Sequence, residues 1–552
     1  MITRNPDHLA AMTPVTSRKK NGIHVFRLFL SILATAGLWQ PSPAAEPAMH
    51  SAYKLDPFGE AARSARLPAG AEWIRDEISP EGALRLTVTT ADKDATNLVS
   101  IPVDLRAWRG SRVRIVGEVK ADGVTAPAKN YNGIKCQLHW KSPSNGPRWL
   151  DQGAVHGTFD WRELSAVAEI DEDASTGSIN LGLQESAGTV WIRNVRIEPL
   201  RIKPLRPAPV PEDVTIYRGH DLPRLRGVMS ATSFRLQDFE DMKKININLV
   251  RWQLTTGQWG KVDTDLDLYV YDRWLEAKLD ETQLVLDAAL ANGIKIVIDL
   301  HTPPGGRTRD RTLRIFLEPK YQDNFVALWE KIARRFAGHP ALWAYDLINE
   351  PLQMRPSPPG VTDYLGTQER AARAVRAIDP TTAISITCDQ WSAPDAFAFL
   401  KPIDVPNVIY QVHMYWPGEF THQGVFNAWG VENGDATLAY PGVLNGRSLD
   451  KEALRRRLQP VREFQRAYGV HIYVGEFGTI RWSPGGARYL DDCIELFEEY
   501  GWDWSYHAFR EWPGWSFEHE DLPYSMNKHT KAQTPTEREK VMRKWFDKNL
   551  HP

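Results

Sequence analysis

The sequence predicts a (β/α)8 (TIM) barrel preceded by an all-β jelly-roll or sandwich domain. Three observations carry that expectation. Residues before a Pro-rich stretch at 203–215 read as short strands alone, and residues after it read as eight strands alternating with helices. The eight later strand runs stay apolar until their last residues, where polar side chains gather. Apolar runs are expected when helices cover both faces of a parallel sheet. The ends of such strands are where a barrel carries its chemistry.

The chain opens on a targeting pattern. Arg18, Lys19 and Lys20 precede the apolar "VFRLFLSILATAGLW", broken by Arg27, and small residues follow in "PSPAAEPA". This order fits a secretory signal spanning 1–48 and cleaved between Ala44 and Ala48. The apolar run is too short and too interrupted for a membrane span. The expectation is a secreted or periplasmic protein with no membrane attachment after cleavage.

Residues 49–202 are the expected sandwich. "ALRLTVTT", "RVRIVGEVKA", "NGIKCQLHW", "SINLGLQES" and "GTVWIRNVRIEPL" are short runs punctuated by Gly, Pro and Asp. Regular short strands separated by turn residues point to paired antiparallel sheets. Pro204, Pro207, Pro209 and Pro211 then make 203–215 a semi-rigid linker.

The barrel is expected over 216–552. Its units pair "RGVMSA" with "LQDFEDMKKIN", "INLVRWQL" with "DETQLVLDAALANG", "IKIVIDLHT" with "YQDNFVALWEKIARRFAG", and "LWAYDLINEP" with "TQERAARAVRAID". They continue as "AISITCDQW" with a short "APDAFAFL", "NVIYQVHMYWP" with "DKEALRRRLQPVREFQRAYG", "HIYVGEFGTI" with "GGARYLDDCIELFEEYG", and "WDWSYHAFRE" with "TPTEREKVMRKWFDKNL". Helices stop at Gly293, Gly469 and Gly501, as helix C-termini commonly do. A doubly wound open sheet is the alternative, but no glycine-rich phosphate turn follows the first strand.

Composition narrows the partners. A net charge of −2 over 552 residues gives no electrostatic case for nucleic acid or a membrane surface. The 21 tryptophans suit large cores, or flat apolar faces for ligands such as sugar rings. Cys136, Cys388 and Cys493 show no metal-ligand spacing and read as small buried hydrophobes. A monomer is expected.

The strand ends hold the chemistry. Arg251 ends the second strand, His301 the third, Asn349 and Glu350 the fourth, His413 and then Tyr415 the sixth, and Glu476 the seventh. Two glutamates on different strands suggest glycoside cleavage, in which one carboxyl protonates the leaving oxygen and the other attacks the anomeric carbon. Arg251 and the Tyr415 hydroxyl suit a carboxylate that must stay ionised. Asn349 suits a sugar hydroxyl, or else a cap on the turn before Pro351.

"LINEP", "HMY" and "VGEFG", with the arginine of "LVRWQ" and the histidine of "IDLH", resemble glycoside hydrolase family 5, the cellulase-type family. The resemblance runs from about Leu225 to Asn549. It implies a retaining enzyme without a cofactor, with Glu350 as acid/base and Glu476 as nucleophile. It also implies that Arg251, His301, Asn349, His413 and Tyr415 support them. The family places a tryptophan after strand eight as the floor of the subsite beside the cut bond. "YHAFRE" departs from the usual wording, and Trp512 is the residue chosen for that floor.

The substrate expected is a β-glucan-like polysaccharide cut internally. The alternatives are a β-mannanase or other β-glycosidase, or a glycan-binding protein without catalysis. A lyase or aldolase would want a lysine at a strand tip, and none stands there. His301 and His413 lack metal-site spacing, so no metal is expected. "PPGGRTRDR" reads as a loop beside the cleft, and "RRR" at Arg455–Arg457 as a solvated helix face. The long segment after strand six is a binding-wall candidate, and Trp416 and Trp429 are stacking candidates. The first domain resembles jelly-roll carbohydrate-binding modules through its closing "LGLQESAGTVWIRNVRIEP". Tyr131, Trp140 and Trp149 are candidates for a binding face, and Trp73, Trp108, Trp161 and Trp191 for its core.

Overall fold

The computed structural model describes residues 52–550 except 78, 93, 223, 257–264 and 426–437. The signal-like segment and Trp429 lie outside the described residues.

The first part of the chain forms two antiparallel sheets. One is ordered β2 (Ala71–Ile74), β3 (Ala83–Val88), β10 (Gly188–Arg201), β5 (Arg112–Val124), β8 (Gly157–Glu169), with β1 (Tyr53–Lys54) on β10. The other is β4 (Thr96–Asp104), β9 (Thr176–Gln184), β6 (Gly133–Ser142), β7 (Gly146–Leu150). Alternation fixes which face is buried. Ile134, Cys136 and Leu138 of β6 pair with Leu183, Leu181 and Ile179 of β9, and all six are fully buried. Lys135, Gln137 and His139 therefore fall on the opposite face. The same period puts Trp140 in the core, 3% exposed, its indole N–H donating to Asp171 at 2.7 Å. Trp140 thus leaves the expected binding face. Trp108 is buried, while Trp73, Trp161 and Trp191 are half-buried.

The barrel closes on eight parallel strands: β11 (Arg226–Ser230), β12 (Leu249–Gln253), β13 (Lys295–Asp299), β14 (Leu342–Asp346), β15 (Ala383–Thr387), β16 (Val408–Met414), β19 (Ile472–Phe477) and β20 (Asp503–Phe509). β20 pairs back onto β11. A small hairpin, β17 (Gly442–Leu444) and β18 (Arg447–Leu449), lies in the segment after β16.

Strand periodicity builds the barrel interior in layers. Leu249, Val297, Ala344, Ala383, Ile409 and Tyr473 form one apolar cluster with Leu225 and Trp343. Two residues along each strand stand Arg251, Asp299, Asp346, Ser385 and Gln411, all fully buried. The outward residues between them, such as Val250, Ile298, Tyr345 and Tyr410, join the large core under the helices.

Several boundaries differ from the sequence reading. Arg251 is mid-strand, β13 stops at Asp299 before His301, and β14 stops at Asp346 before Asn349 and Glu350. The fifth unit carries only a 3-10 turn, Pro394–Phe399. The helix after β12 is longer than its pattern and runs Leu268–Asn292, because Asp267 caps it early by accepting from the Tyr269 and Val270 amides. The Pro-rich stretch is stitched to the barrel: Arg206 donates to the Phe397 carbonyl at 2.7 Å, and the Val210 amide to the Arg466 carbonyl at 2.8 Å. The three cysteines are buried thiols.

Candidate active site

The polar layer begins with Arg251. Its Nη1 donates to Glu476 Oε1 at 2.7 Å, its Nε to Asp346 Oδ2 at 2.8 Å, and its Nη2 to Asn349 Oδ1 at 3.0 Å. Asp299 Oδ1 lies 3.0 Å from Nη2. One guanidinium thus meets three carboxylates with no access to water. Burial would strip its charge, but Asp299, Asp346 and Glu476 push its pKa well above the ordinary arginine value. Asp346 moves the other way: burial, and then Asp299 beside it, outweigh the arginine and raise its pKa. Gln411 eases that crowding by donating to Asp346 Oδ1 at 2.7 Å. Its carboxamide needs Gly475 beside it, because a Cβ there would sit 1.4 Å from Gln411 Oε1.

Glu476 is the best-furnished carboxylate. Besides Arg251, the Tyr415 hydroxyl donates to its Oε2 at 3.0 Å, and His413 Nδ1 lies 3.7 Å away. Burial opposes its charge, but His413, Arg251, His507 and His301 more than offset that and hold the carboxyl well below the ordinary glutamate range. The Tyr415 hydroxyl is correspondingly hard to ionise: burial, then Glu476 and Glu350, raise its pKa well above 10.0.

Glu350 is set differently. It follows β14 in a left-handed backbone conformation, φ 46°, which a non-glycine residue adopts at a cost. Its surroundings hold that conformation. Arg307 donates to the Glu350 carbonyl at 2.9 Å while its guanidinium lies 4.5 Å over the Trp391 ring. The Trp391 amide donates to the Pro351 carbonyl at 3.2 Å. Gln390, Trp391 and Ser392 are left-handed as well. The Glu350 side chain, 20% exposed, is the more open of the two, with Oε1 3.1 Å from His413 Nδ1. The "PPGGRTRDR" loop therefore bears on the carboxylate's support through Arg307.

Asn349 and His301 complete the ring. The Asn349 amide approaches His301 Nε2 at 3.2 Å, and His301 Nδ1 lies 2.8 Å from Asp299 Oδ2. Nδ1–H donating to the carboxylate and Nε2 accepting from the amide is one consistent arrangement. Both ends of the Asn349 side chain are thus engaged inside the site.

Glu350, His413 and Glu476 bring one ligand-type atom each within 4.8 Å of one another, the one such cluster among the described residues. Arg251 and Tyr415 already supply Glu476 with a cation and a donor, so the protein itself meets the charge of that carboxylate.

Seven of the eight residues expected from the sequence converge here, and Trp512 does not. It packs edge-on to Trp515 and His529, centroids 6.0 and 5.9 Å away. Trp515 is the indole that reaches the ring, 6.1 Å from Tyr415 and stacked on His507 at 5.3 Å. Trp416 rests against the barrel core, with Arg457 5.9 Å over its ring. The sequence reading missed Asp299, Asp346, Gln411, Arg307, His507 and Glu511. Acids inside the apolar runs "IVIDL" and "WAYDL" were a signal for the first two, since a buried strand carries an acid only with a partner.

The fold and the site define a (β/α)8 barrel with two carboxyl groups facing one another across its mouth. The chain belongs to the cellulase family, glycosyl hydrolase family 5, whose family model matches residues 225–512, and it is a glycoside hydrolase. Endoglucanase C of Acetivibrio thermocellus is 30% identical over 236 residues, covering 38% of this chain and 67% of that protein. A beta-xylosidase of Phanerodontia chrysosporium is 24% identical over 261 residues (44% and 50%), and Cellodextrinase A of Ruminococcus flavefaciens is 26% identical over 204 (36% and 56%).

Proposed function

We propose that the protein is a retaining, endo-acting hydrolase of a β-glucan-like polysaccharide, with Glu476 as nucleophile and Glu350 as acid/base. The observation that carries this reading is the close approach of the two carboxyls, an oxygen of each within 4.8 Å. Separations near 5–5.5 Å belong to the covalent, retaining path, and wider ones leave room for a water. The unequal settings support the division of roles. Glu476, held ionised, attacks the anomeric carbon while Glu350 gives its proton to the departing glycosidic oxygen. Glu350, now a carboxylate, takes a proton from water, and the resulting oxygen nucleophile displaces Glu476 and releases the sugar. The names of the relatives favour glucan, and the β-xylosidase among them keeps other β-glycans in the assay.

Glu350→Gln and Glu476→Gln are each expected to lose about 10²–10⁴-fold in kcat on the preferred polysaccharide, the scale of a missing acid/base or nucleophile. Near wild-type turnover by either variant on a panel of glucans, mannans and xylans sinks the assignment. Product lengths from the same panel separate internal from terminal cutting.

The sandwich is proposed to bind glycan on the outer face of the β6/β9/β7 sheet. Tyr131 and Trp149 are 59% and 63% exposed. Near them Lys135 and Gln137 donate to Asp151, and Asn180 to Gln137. The buried polar row holds this face of the sheet in place, and the exposed rings suit a sugar's flat face. Trp149→Ala is expected to weaken retardation in glucan-containing native gels about tenfold, since one stacking ring contributes on the order of 1–2 kcal/mol. Unchanged mobility rules the face out.

A further inference from the structure

Beyond the carboxyl pair lies a second titratable unit that the reaction as derived does not use. His507 of β20 places Nδ1 2.5 Å from the Tyr415 oxygen and Nε2 2.7 Å from Glu511 Oε2. Tyr415 in turn lies 3.0 Å from Glu476 Oε2. Four groups therefore stand in line: Glu511, His507, Tyr415, Glu476.

Counting protons along this line fixes its direction. An ionised carboxylate only accepts, and a tyrosine has one hydrogen to give. If Glu476 is ionised, Tyr415 spends its hydrogen there. His507 Nδ1 must then carry a hydrogen and donate it to the tyrosine oxygen. An ionised Glu511 likewise requires a hydrogen on Nε2. The line is complete only when His507 and Glu511 hold one proton beyond neutral imidazole plus carboxylate. Remove that proton, and the ring keeps Nε2–H for Glu511 while Nδ1 becomes an acceptor. Tyr415 then turns its hydrogen to His507, and Glu476 loses a donor.

We propose that His507 and Glu511 are positioning residues that let a single proton decide whether Tyr415 points its hydroxyl hydrogen at Glu476 or away from it, and so set the alkaline edge of activity. The inference rests on Glu476 being the nucleophile. The charged and titratable groups around His507 come from several elements. They are Glu511 beyond β20, Tyr415 and His422 beyond β16, Glu476 of β19 and His301 beyond β13. Its flat face is covered by the Trp515 indole. Burial disfavours the charged ring, but Glu511 and then Glu476 prevail over it and over His301, and raise its pKa above the ordinary histidine value of 6.5. Glu511 is lowered in return, His507 overcoming its burial. The sign follows: the raised histidine is protonated and the line intact below its pKa, and both are lost as pH rises through it.

The test is the pH profile of kcat/KM for wild type and Glu511→Gln. In the variant, loss of the carboxylate should move the alkaline limb down by about one pH unit or more, the scale of a close charge partner, and leave the acid limb in place. A merely structural role would lower activity evenly across pH, and an unmoved alkaline limb overturns the proposal. Nitrogen-15 NMR of the wild-type protein, with His507 assigned through His507→Gln, reads the same state without relying on Glu511→Gln. Both ring nitrogens should be protonated below the alkaline limb, and a neutral ring there with ionised Glu511 also overturns it. Trapping with a 2-fluoro glycoside and peptide mapping keeps the two readings apart. Label on a residue other than Glu476 removes the functional reading. Label on Glu476 with an unmoved limb removes only this inference.

Discussion

At the residue scale the centre of the site is Arg251, whose guanidinium hydrogen-bonds Glu476, Asp346 and Asn349 and stands 3.0 Å from Asp299 as an ion pair. A buried charge stripped of its partner is far more damaging than a missing surface pair. Arg251→Met should therefore destabilise the protein by about 3–5 kcal/mol, read as a lower urea midpoint, and should cut activity even in the fraction that stays folded. A midpoint within error of wild type contradicts this account. Arg251 was legible in the sequence as the arginine of "LVRWQ", though as the end of its strand rather than its middle. His507 was not, because nothing local in "SYHAFRE" distinguishes a histidine bridging Tyr415 and Glu511 from a surface one. The partner that gives it meaning stands 92 residues away in the chain.

At the scale of elements, the even period of the strands explains how eight short runs build both a floor and a site. Each of the five strands from β12 to β16 gives the interior an apolar residue below and a polar one two positions later, as Leu249 and Arg251 do. β19 departs from that simple repeat. Its pairing with β16 shifts between Val412 and His413, and Gly475 stands beside Gln411 just before Glu476. Gly475→Ala forces the Gln411 carboxamide away from Asp346 and is expected to cost about 1–3 kcal/mol, the range for overpacking a close contact. Differential scanning calorimetry should register the loss, and an unshifted Tm would mean the strand gives way freely. Strand count and order were readable because the repeat is carried by many residues. Strand ends were not, because the chain keeps its apolar character past the last sheet hydrogen bond, through Leu347 and Ile348 to Asn349.

At the scale of the whole molecule, the sandwich and barrel meet close to the support of Glu350. Arg201, the last residue of β10, donates to Gln353 Oε1 at 2.8 Å, lies 3.3 Å from Asp389 Oδ2, and covers the Tyr364 ring at 4.7 Å. Asp389 Oδ1 accepts from the Gln353 and Gln390 amides, so its carboxylate ties together the segments after β14 and β15. Arg201→Ala takes from that buried acid the arginine paired with its Oδ2, leaving only the weaker influence of Arg307. The expected cost is about 3 kcal/mol, with much of it recovered in the Arg201→Ala, Asp389→Asn double variant. Additive losses in that double-mutant cycle would show that the two side chains do not act as a pair. The sequence marks two halves through its change of pattern, but it gives no sign of this contact, since nothing local to Arg201 at the end of the sandwich points to a partner in the barrel.

That contact bears on how freely such halves can be exchanged. A sandwich that merely held substrate nearby could be traded for any other module on a suitable tether. Here the barrel keeps a carboxylate whose counter-ion is carried by its neighbour. A chimera that replaces the first 202 residues inherits an uncompensated acid beside the Glu350 loop unless the incoming module supplies an arginine at the same place or Asp389 is neutralised with it.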